Sequence, residues 1–110
     1  ARKAAITEAT KNACLVPFRV METALPAFEL LREMAEKGNP NSVSDAAVGA
    51  LALRSCIRGA FLNVRINAAG LDDREFVEDL LSRGKAIEEQ AMKEEESIQG
   101  IADRIMRTAK

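Results

Sequence analysis

Histidine, tyrosine and tryptophan are absent from this 110-residue chain. Without histidine no Ser–His–Asp or Cys–His catalytic group can be assembled, and no imidazole is available to hold a metal ion. Acid–base work must fall to Asp, Glu, Lys, Cys or water. Only four residues are aromatic, all of them Phe, so Ala, Leu, Ile and Val must fill the core. That composition favours closely packed helices over a sheet braced by aromatic pairs. An excess of one charge is also missing. The formal net charge is −1, and no basic block suggests a nucleic-acid arm. Binding to nucleic acid or to a membrane is therefore not expected. No uninterrupted apolar run approaches the ~20 residues of a membrane span, and no signal peptide opens the chain, which points to the cytoplasm. Cys14 and Cys56 lie far apart without a pairing pattern, so free thiols in a reducing compartment are expected.

What is present is helical periodicity. Ala5, Ile6, Ala9, Ala13 and Val16 form a stripe at three- and four-residue spacing. Pro17 lacks the amide proton of a continuing helix, so the first helix is expected to end or kink there. A second would start with Pro17 in its first turn, carry Phe18, Met21, Leu25 and Phe28, bend at Pro26 and reach about Lys37. Gly38-Asn39-Pro40-Asn41 is the clearest break. Beyond it, Ser42 is placed to cap a helix, with Asp45 near its positive end.

The helix from about Ser44 to Ala69 is apolar over most of its circumference, which implies burial by neighbours on several sides. Gly70 should end it in the left-handed conformation. Asp72 and Glu75 open a last helix reaching Thr108. Its seam reads Val77, Leu80, Gly84, Ile87, Ala91, Glu94, Ile98, Ile101 and Ile105. The expected fold is all-α, a helical bundle with a long buried central helix and a long C-terminal helix, in a single domain over residues 1–110.

Two faces of the central helix carry candidate function. Asp45, Gly49, Ala52, Cys56, Gly59, Ala60, Asn63 and Asn67 fall within about 100° of arc, with small residues in the middle and polar ones at the ends. Either this is a tight helix–helix contact with the amides bonded to carbonyls, or it is a ligand-facing wall in which the amides read a heterocycle. Arg54, Arg58 and Arg65 lie within about 40° of one another on the opposite side. They are either a solvated stripe paired with acids of the last helix or a patch for a carboxylate-rich ligand or subunit contact. Cys56 reads as an inert buried thiol. The run Glu94-Glu95-Glu96 reads as a solvated face, with Glu94 in need of a partner on the seam.

The ordered set Gly38-Asn39-Pro40-Asn41-Ser42-Val43-Ser44-Asp45 and Gly59-Ala60-Phe61-Leu62-Asn63-Val64-Arg65-Ile66-Asn67, with Val16-Pro17 upstream and Leu71-Asp72-Asp73 following, resembles the formiminotransferase-cyclodeaminase C-terminal family. The resemblance runs over essentially the whole chain, but family domains are about twice as long. The chain opens at Ala1 already in a helical pattern and resembles the second half of such a domain. The family's Pro-Gly-Gly-Gly-Ser type segment and its proton-transferring carboxylate belong to the half with no counterpart here, so the resemblance assigns no catalytic residue. It implies an all-helical homodimer or higher oligomer and a tetrahydrofolate one-carbon derivative as substrate, with no bound cofactor and no metal. The implied reaction is formiminotetrahydrofolate cyclodeamination or methenyltetrahydrofolate cyclohydrolysis. Asn41, Ser44, Asp45, Asn63 and Asn67 match the motif and would line the folate pocket. The alternative is a non-catalytic helical module for dimerisation or assembly.

Overall fold

The computed structural model describes residues 1–108. Four helices follow one another: α1 (Arg2–Ala24), α2 (Ala27–Glu36), α3 (Pro40–Ala68) and α4 (Arg74–Thr108). No strand occurs among the described residues, so the all-α expectation holds. The helices form a rod of 67 × 17 × 16 Å, and α1, α2 and α4 all pack on α3.

Several boundaries differ from the sequence reading. Pro17 does not end the first helix, which runs through it to Ala24. The break falls instead at Leu25-Pro26, ahead of α2. The cap of α3 is not Ser42. Asn39 accepts a hydrogen bond from the Asn41 amide at 3.0 Å, and Pro40 takes the first helical position, where a missing N–H costs nothing. The Ser44 hydroxyl donates back to the Asn41 carbonyl, and Asp45 stands outside the first turn, exposed. Gly70 is not left-handed. Among the described residues only Gly38, which ends α2, has a positive φ, of 77°. Asp73, rather than Asp72, caps α4 by accepting from the Phe76 amide at 3.1 Å.

The core is built from small pieces. Cys14, Phe18 and Met21 of α1, Phe28 and Ala35 of α2, Ala46, Ala50, Ile57, Phe61 and Val64 of α3, and Leu80, Ala91 and Ile98 of α4 are all buried. At the far end Val43, Ala47 and Ala102 form a second small cluster with Ile105. Two close approaches depend on glycine. A Cβ on Gly49 would stand 3.1 Å from Leu31 of α2. A Cβ on Gly84 would stand 2.5 Å from the Phe61 ring, inside van der Waals contact.

The seam of α4 also departs from expectation in its second half, where Glu95 and Ala102 are buried in place of Glu94 and Ile101. An α-helix drifts by ~20° per heptad against a strict seven-residue repeat, and over a helix this long the drift carries the buried stripe to the next residue. Glu95 thus lies in the interface, not on a solvated face, and its carboxylate bonds Arg54 at 2.5 Å. Glu94 is half-buried and pairs with Arg32 at 2.6 Å. Arg58 pairs with Glu88 at 2.9 Å, and Gln99 donates to the Ala47 carbonyl at 2.8 Å.

Burial of α3 is one-sided. Its length and composition would suffice to cross a membrane, yet Val48, Leu51, Leu62 and Ile66 on its outward face are exposed while its inner face is the hub of the bundle.

Two predictions test this arrangement. Replacing Gly84 by Ala should destabilise the protein by about 1–3 kcal/mol through overpacking against Phe61, although Ala is the better helix former. Gly100→Ala, where an added Cβ meets nothing within 4 Å, should instead stabilise by up to ~1 kcal/mol. Urea midpoints of the two variants check the opposite signs. The second concerns Asp73, whose carboxyl is held below its ordinary value by the Lys11 ammonium bonded to it at 2.8 Å and by the Phe76 amide. A depressed folded-state value contributes stability above the unfolded carboxylate range and loses it as pH falls through the folded value. Asp73→Asn keeps a capping oxygen but loses the pairing. The stability gap between wild type and Asp73→Asn should therefore close as a denaturation series is taken from neutral pH into acid.

Candidate functional site

Polar side chains of α3 gather at its two ends. Asn41, Ser44 and Asp45 lie at the start, with Asn41, Ser44 and Asp45 all exposed. Asn63 and Asn67 lie one turn apart near the finish. At 1.5 Å per residue, Asp45 and Asn63 are roughly 27 Å apart along the axis. The two groups share a side of the helix but do not converge, so a heterocycle bound at one end does not touch the other.

The Asn63–Asn67 end borders a groove between α1 and α3. Ala13, Val16, Pro17 and Val20 form one wall, Ala60, Asn63 and Asn67 the other, and the space between is about 520 Å³, open to solvent. The sequence reading missed the α1 wall because it broke the helix at Pro17. The available signal was the Val16-Pro17 pair that stands with the motif.

The two amides are not equivalent. A proline at position 17 leaves the Ala13 carbonyl, four residues earlier, without its helical N–H partner. The Asn67 side-chain amide donates to that carbonyl at 3.1 Å. Asn67 thus replaces the missing backbone donor and lets α1 continue unbroken, so its nitrogen is structural, as the helix-contact reading had it. Asn63, by contrast, is exposed and makes no side-chain hydrogen bond among the described residues. It offers the groove both a donor and an acceptor.

No titratable side chain lines this groove. It can orient a flat, partly polar ligand between apolar walls, but it presents no group to move a proton. A second, tighter groove of about 370 Å³ lies between Arg54, Arg58, Glu88, Glu89, Ala91 and Met92. Its guanidinium groups are already engaged by Glu95 and Glu88, as the paired-stripe reading expects, and Arg65 lies over the Phe61 ring at 5.8 Å.

The cysteines are unpaired. Cys14 is buried, and burial pushes its thiol above the ordinary range. Cys56 is exposed, contrary to the reading of a buried thiol, because it points along the outward side of α3 that no neighbour covers. No cluster of metal-ligating side chains occurs among the described residues.

Comparison with known proteins places this geometry. The family model for formiminotransferase-cyclodeaminase matches residues 1–86. The chain belongs to the formiminotransferase-cyclodeaminase family. The match takes in both walls of the groove and the whole of α3. The methenyltetrahydrofolate cyclohydrolase of Methylorubrum extorquens is 46% identical over 81 residues, 74% of this chain and 39% of that protein. The formimidoyltransferase-cyclodeaminase of Rattus norvegicus is 33% identical over 90 residues, 82% of this chain and 17% of its own length. That of Dictyostelium discoideum is 34% identical over 102 residues, 93% of this chain and 18% of that protein. The chain therefore spans well under half the length of the curated relatives it matches.

A double-mutant cycle tests the pairing of Asn67 with Pro17. Asn67→Leu alone should cost about 0.5–1.5 kcal/mol, the net worth of one solvent-accessible hydrogen bond. In a Pro17→Ala background the restored backbone N–H serves the Ala13 carbonyl, and the same substitution should cost close to nothing. Additive effects in denaturant titrations would show that the two residues act independently.

Proposed function

We propose that in a protein of its relatives' length this chain forms one wall of a site for a tetrahydrofolate one-carbon derivative. The reaction assigned to the whole is methenyltetrahydrofolate cyclohydrolysis or formimino cyclodeamination. The observation that carries this reading is the Asn63 amide, unengaged at the edge of a groove that lies entirely within the family-matched residues 1–86. The 46% identity to a protein named methenyltetrahydrofolate cyclohydrolase supports it.

Both reactions suit a chain without histidine. In cyclohydrolysis a water adds to the methenyl carbon and the ring opens to a formyl group. In cyclodeamination the second folate nitrogen attacks the formimino carbon and ammonia leaves. Each requires one group to take a proton near the ring nitrogens and return it to the leaving atom, and a single carboxylate with a pKa raised by burial would serve. No such carboxylate lines the groove, and Asp45 is exposed at the far end of α3. The proton-transfer residue is therefore assigned to the portion of the domain outside this chain. Orientation of the substrate falls to Asn63, with Asn67 holding the opposite wall. Asn41, Ser44 and Asp45 join the site only through a ligand or neighbouring segment extending along α3. The working unit is proposed to be a cytoplasmic homodimer or higher oligomer using no bound cofactor.

The second reading, a helical assembly module without turnover, rests on the same absence of a carboxylate from the groove. A chimera in which this chain replaces the matching segment of the M. extorquens cyclohydrolase separates the two. Asn63→Leu in that chimera should lower folate affinity or turnover on the order of tenfold, the worth of one to two lost hydrogen bonds, with the melting temperature little changed. Wild-type turnover in the variant would remove Asn63 from the site, and a chimera that folds without any turnover would favour the assembly module.

A further inference from the structure

We propose that the outward face of α3 is an internal packing surface, covered by helical segments from the part of the cyclodeaminase domain that this chain does not span. The inference rests on family membership and not on the folate chemistry. Val48, Leu51, Leu62 and Ile66 are 65%, 51%, 47% and 73% exposed. With Ser55 and Gly59 they fall within about 80° of arc, and from Val48 to Ile66 the stripe runs for roughly 27 Å. Ala52 and Cys56 border it, both exposed. Val16 and Val20 of α1, 60% and 41% exposed, extend the apolar surface past the groove. A contiguous apolar face of this length is rarely left to water in a protein that works alone.

Three observations choose the occupant. First, the remaining faces of α3 are taken by α1, α2 and α4, and the matched segment amounts to 39% of the M. extorquens relative. The larger part of that domain must pack somewhere, and the bare side of the hub helix is the apolar surface it meets. Second, the middle of the stripe is a saddle of small residues. A Cβ on Gly59 would meet nothing within 4 Å, whereas one on Gly49 or Gly84 would meet Leu31 or Phe61. Gly59 thus leaves the backbone open at the centre of the stripe, where a second helix can approach closely. Third, of the charged residues flanking the stripe, Arg54 and Arg58 pair with Glu95 and Glu88, and Arg65 lies over the Phe61 ring. The open face therefore asks for an apolar partner. A lipid surface fits it less well, because the stripe is narrow and α3 cannot leave the bundle without exposing its inner face.

Cys56 reports on this surface without any assay of turnover. In the isolated chain, maleimide should label Cys56 rapidly under native conditions and leave buried Cys14 unlabelled, as resolved by peptide mass spectrometry. In the chimera with the M. extorquens domain, labelling of Cys56 should slow on the order of tenfold or more as the thiol is covered. Gly59→Leu and Ile66→Gln should leave the melting temperature of the isolated chain unchanged or, for Gly59→Leu, raised. Each should lower that of the chimera by several degrees. Equal reactivity of Cys56 in both proteins, with both substitutions tolerated in the chimera, would overturn the proposal. An isolated chain that is dimeric by light scattering, with Cys56 protected until Gly59→Leu is introduced, would overturn it in favour of a second copy. Protection of Cys56 on co-sedimentation with phosphatidylglycerol vesicles would overturn it in favour of a membrane. A chimera that protects Cys56 but turns over no folate would leave this inference standing while removing the functional one.

Discussion

The register of α3 against α4 depends on one contact, the Phe61 ring seated where Gly84 has no side chain. Phe61 is one of only four aromatic residues, and it is buried between the two longest helices. With Phe61 opposite Gly84, the antiparallel run of α3 past α4 fixes which residues meet. Arg58 then reaches Glu88, Arg54 reaches Glu95, and Gln99 reaches the carbonyl of Ala47. A slip of one heptad would leave an alanine or a valine facing the ring and would strip Glu95 of its partner while keeping it buried. Leaving the buried Glu95 carboxylate without its partner in that way is unfavourable, although the half-exposed pair itself is no evidence of stability. The glycine and the ion pairs therefore act together as a register key on a seam of Leu, Ile and Ala too repetitive to specify one.

The other half of the scaffold rests on a weaker but equally specific substitution of one donor for another. A proline within a helix removes a backbone hydrogen bond and usually bends or ends the helix. Here the Asn67 amide stands in for the missing N–H of position 17. The repair keeps α1 straight enough for Cys14, Phe18 and Met21 to be buried together, and it brings Lys11 to Asp73 at the start of α4. It also creates the groove, since Pro17 and Asn67 face each other across it. Two residues that look unrelated in sequence, a helix breaker and a half-exposed amide, are one structural device.

These dependencies explain what was legible in the sequence. The all-α class, the reach of the last helix to Thr108 and the pairing of Arg54 and Arg58 with acids of α4 follow from local pattern and composition. So does a break after α2, although it spans only Gly38-Asn39 and α3 starts at Pro40 rather than near Ser44. The amide-bearing face was legible for the same reason, since it is a matter of angular spacing on one helix. What was missed is tertiary. Pro17 was read as a break because its repair comes from a residue fifty positions away. Gly84 is legible only as a member of the α4 seam, because the ring that needs it lies on another helix. Glu95 was placed in solvent because a strict heptad was extended over a helix that drifts from it. Cys56 was placed in the core because an apolar circumference was taken to mean burial, when one side of α3 has no neighbour in this chain.

Under the proposed function, the three sides of α3 would divide the labour of a folate site in a way the composition alone does not suggest. The inner side, built on Ile57, Phe61 and Val64, holds the bundle and is satisfied within it. The side toward α1 carries amides and apolar walls, which can orient a substrate but cannot move a proton. The outward side carries neither charge nor amide at its centre, only Val, Leu and Ile around a glycine notch. Orientation and proton transfer make opposite demands on their surroundings. Amides work best on a rigid scaffold with their partners fixed, while a carboxylate with a raised pKa requires burial that an open groove cannot provide. A groove walled on two sides by this chain, beside a helix face that asks for apolar cover, meets both demands once further helices close over it. The same closure that buries Val48, Leu51, Leu62 and Ile66 would then supply the dry third wall from which a carboxylate could act.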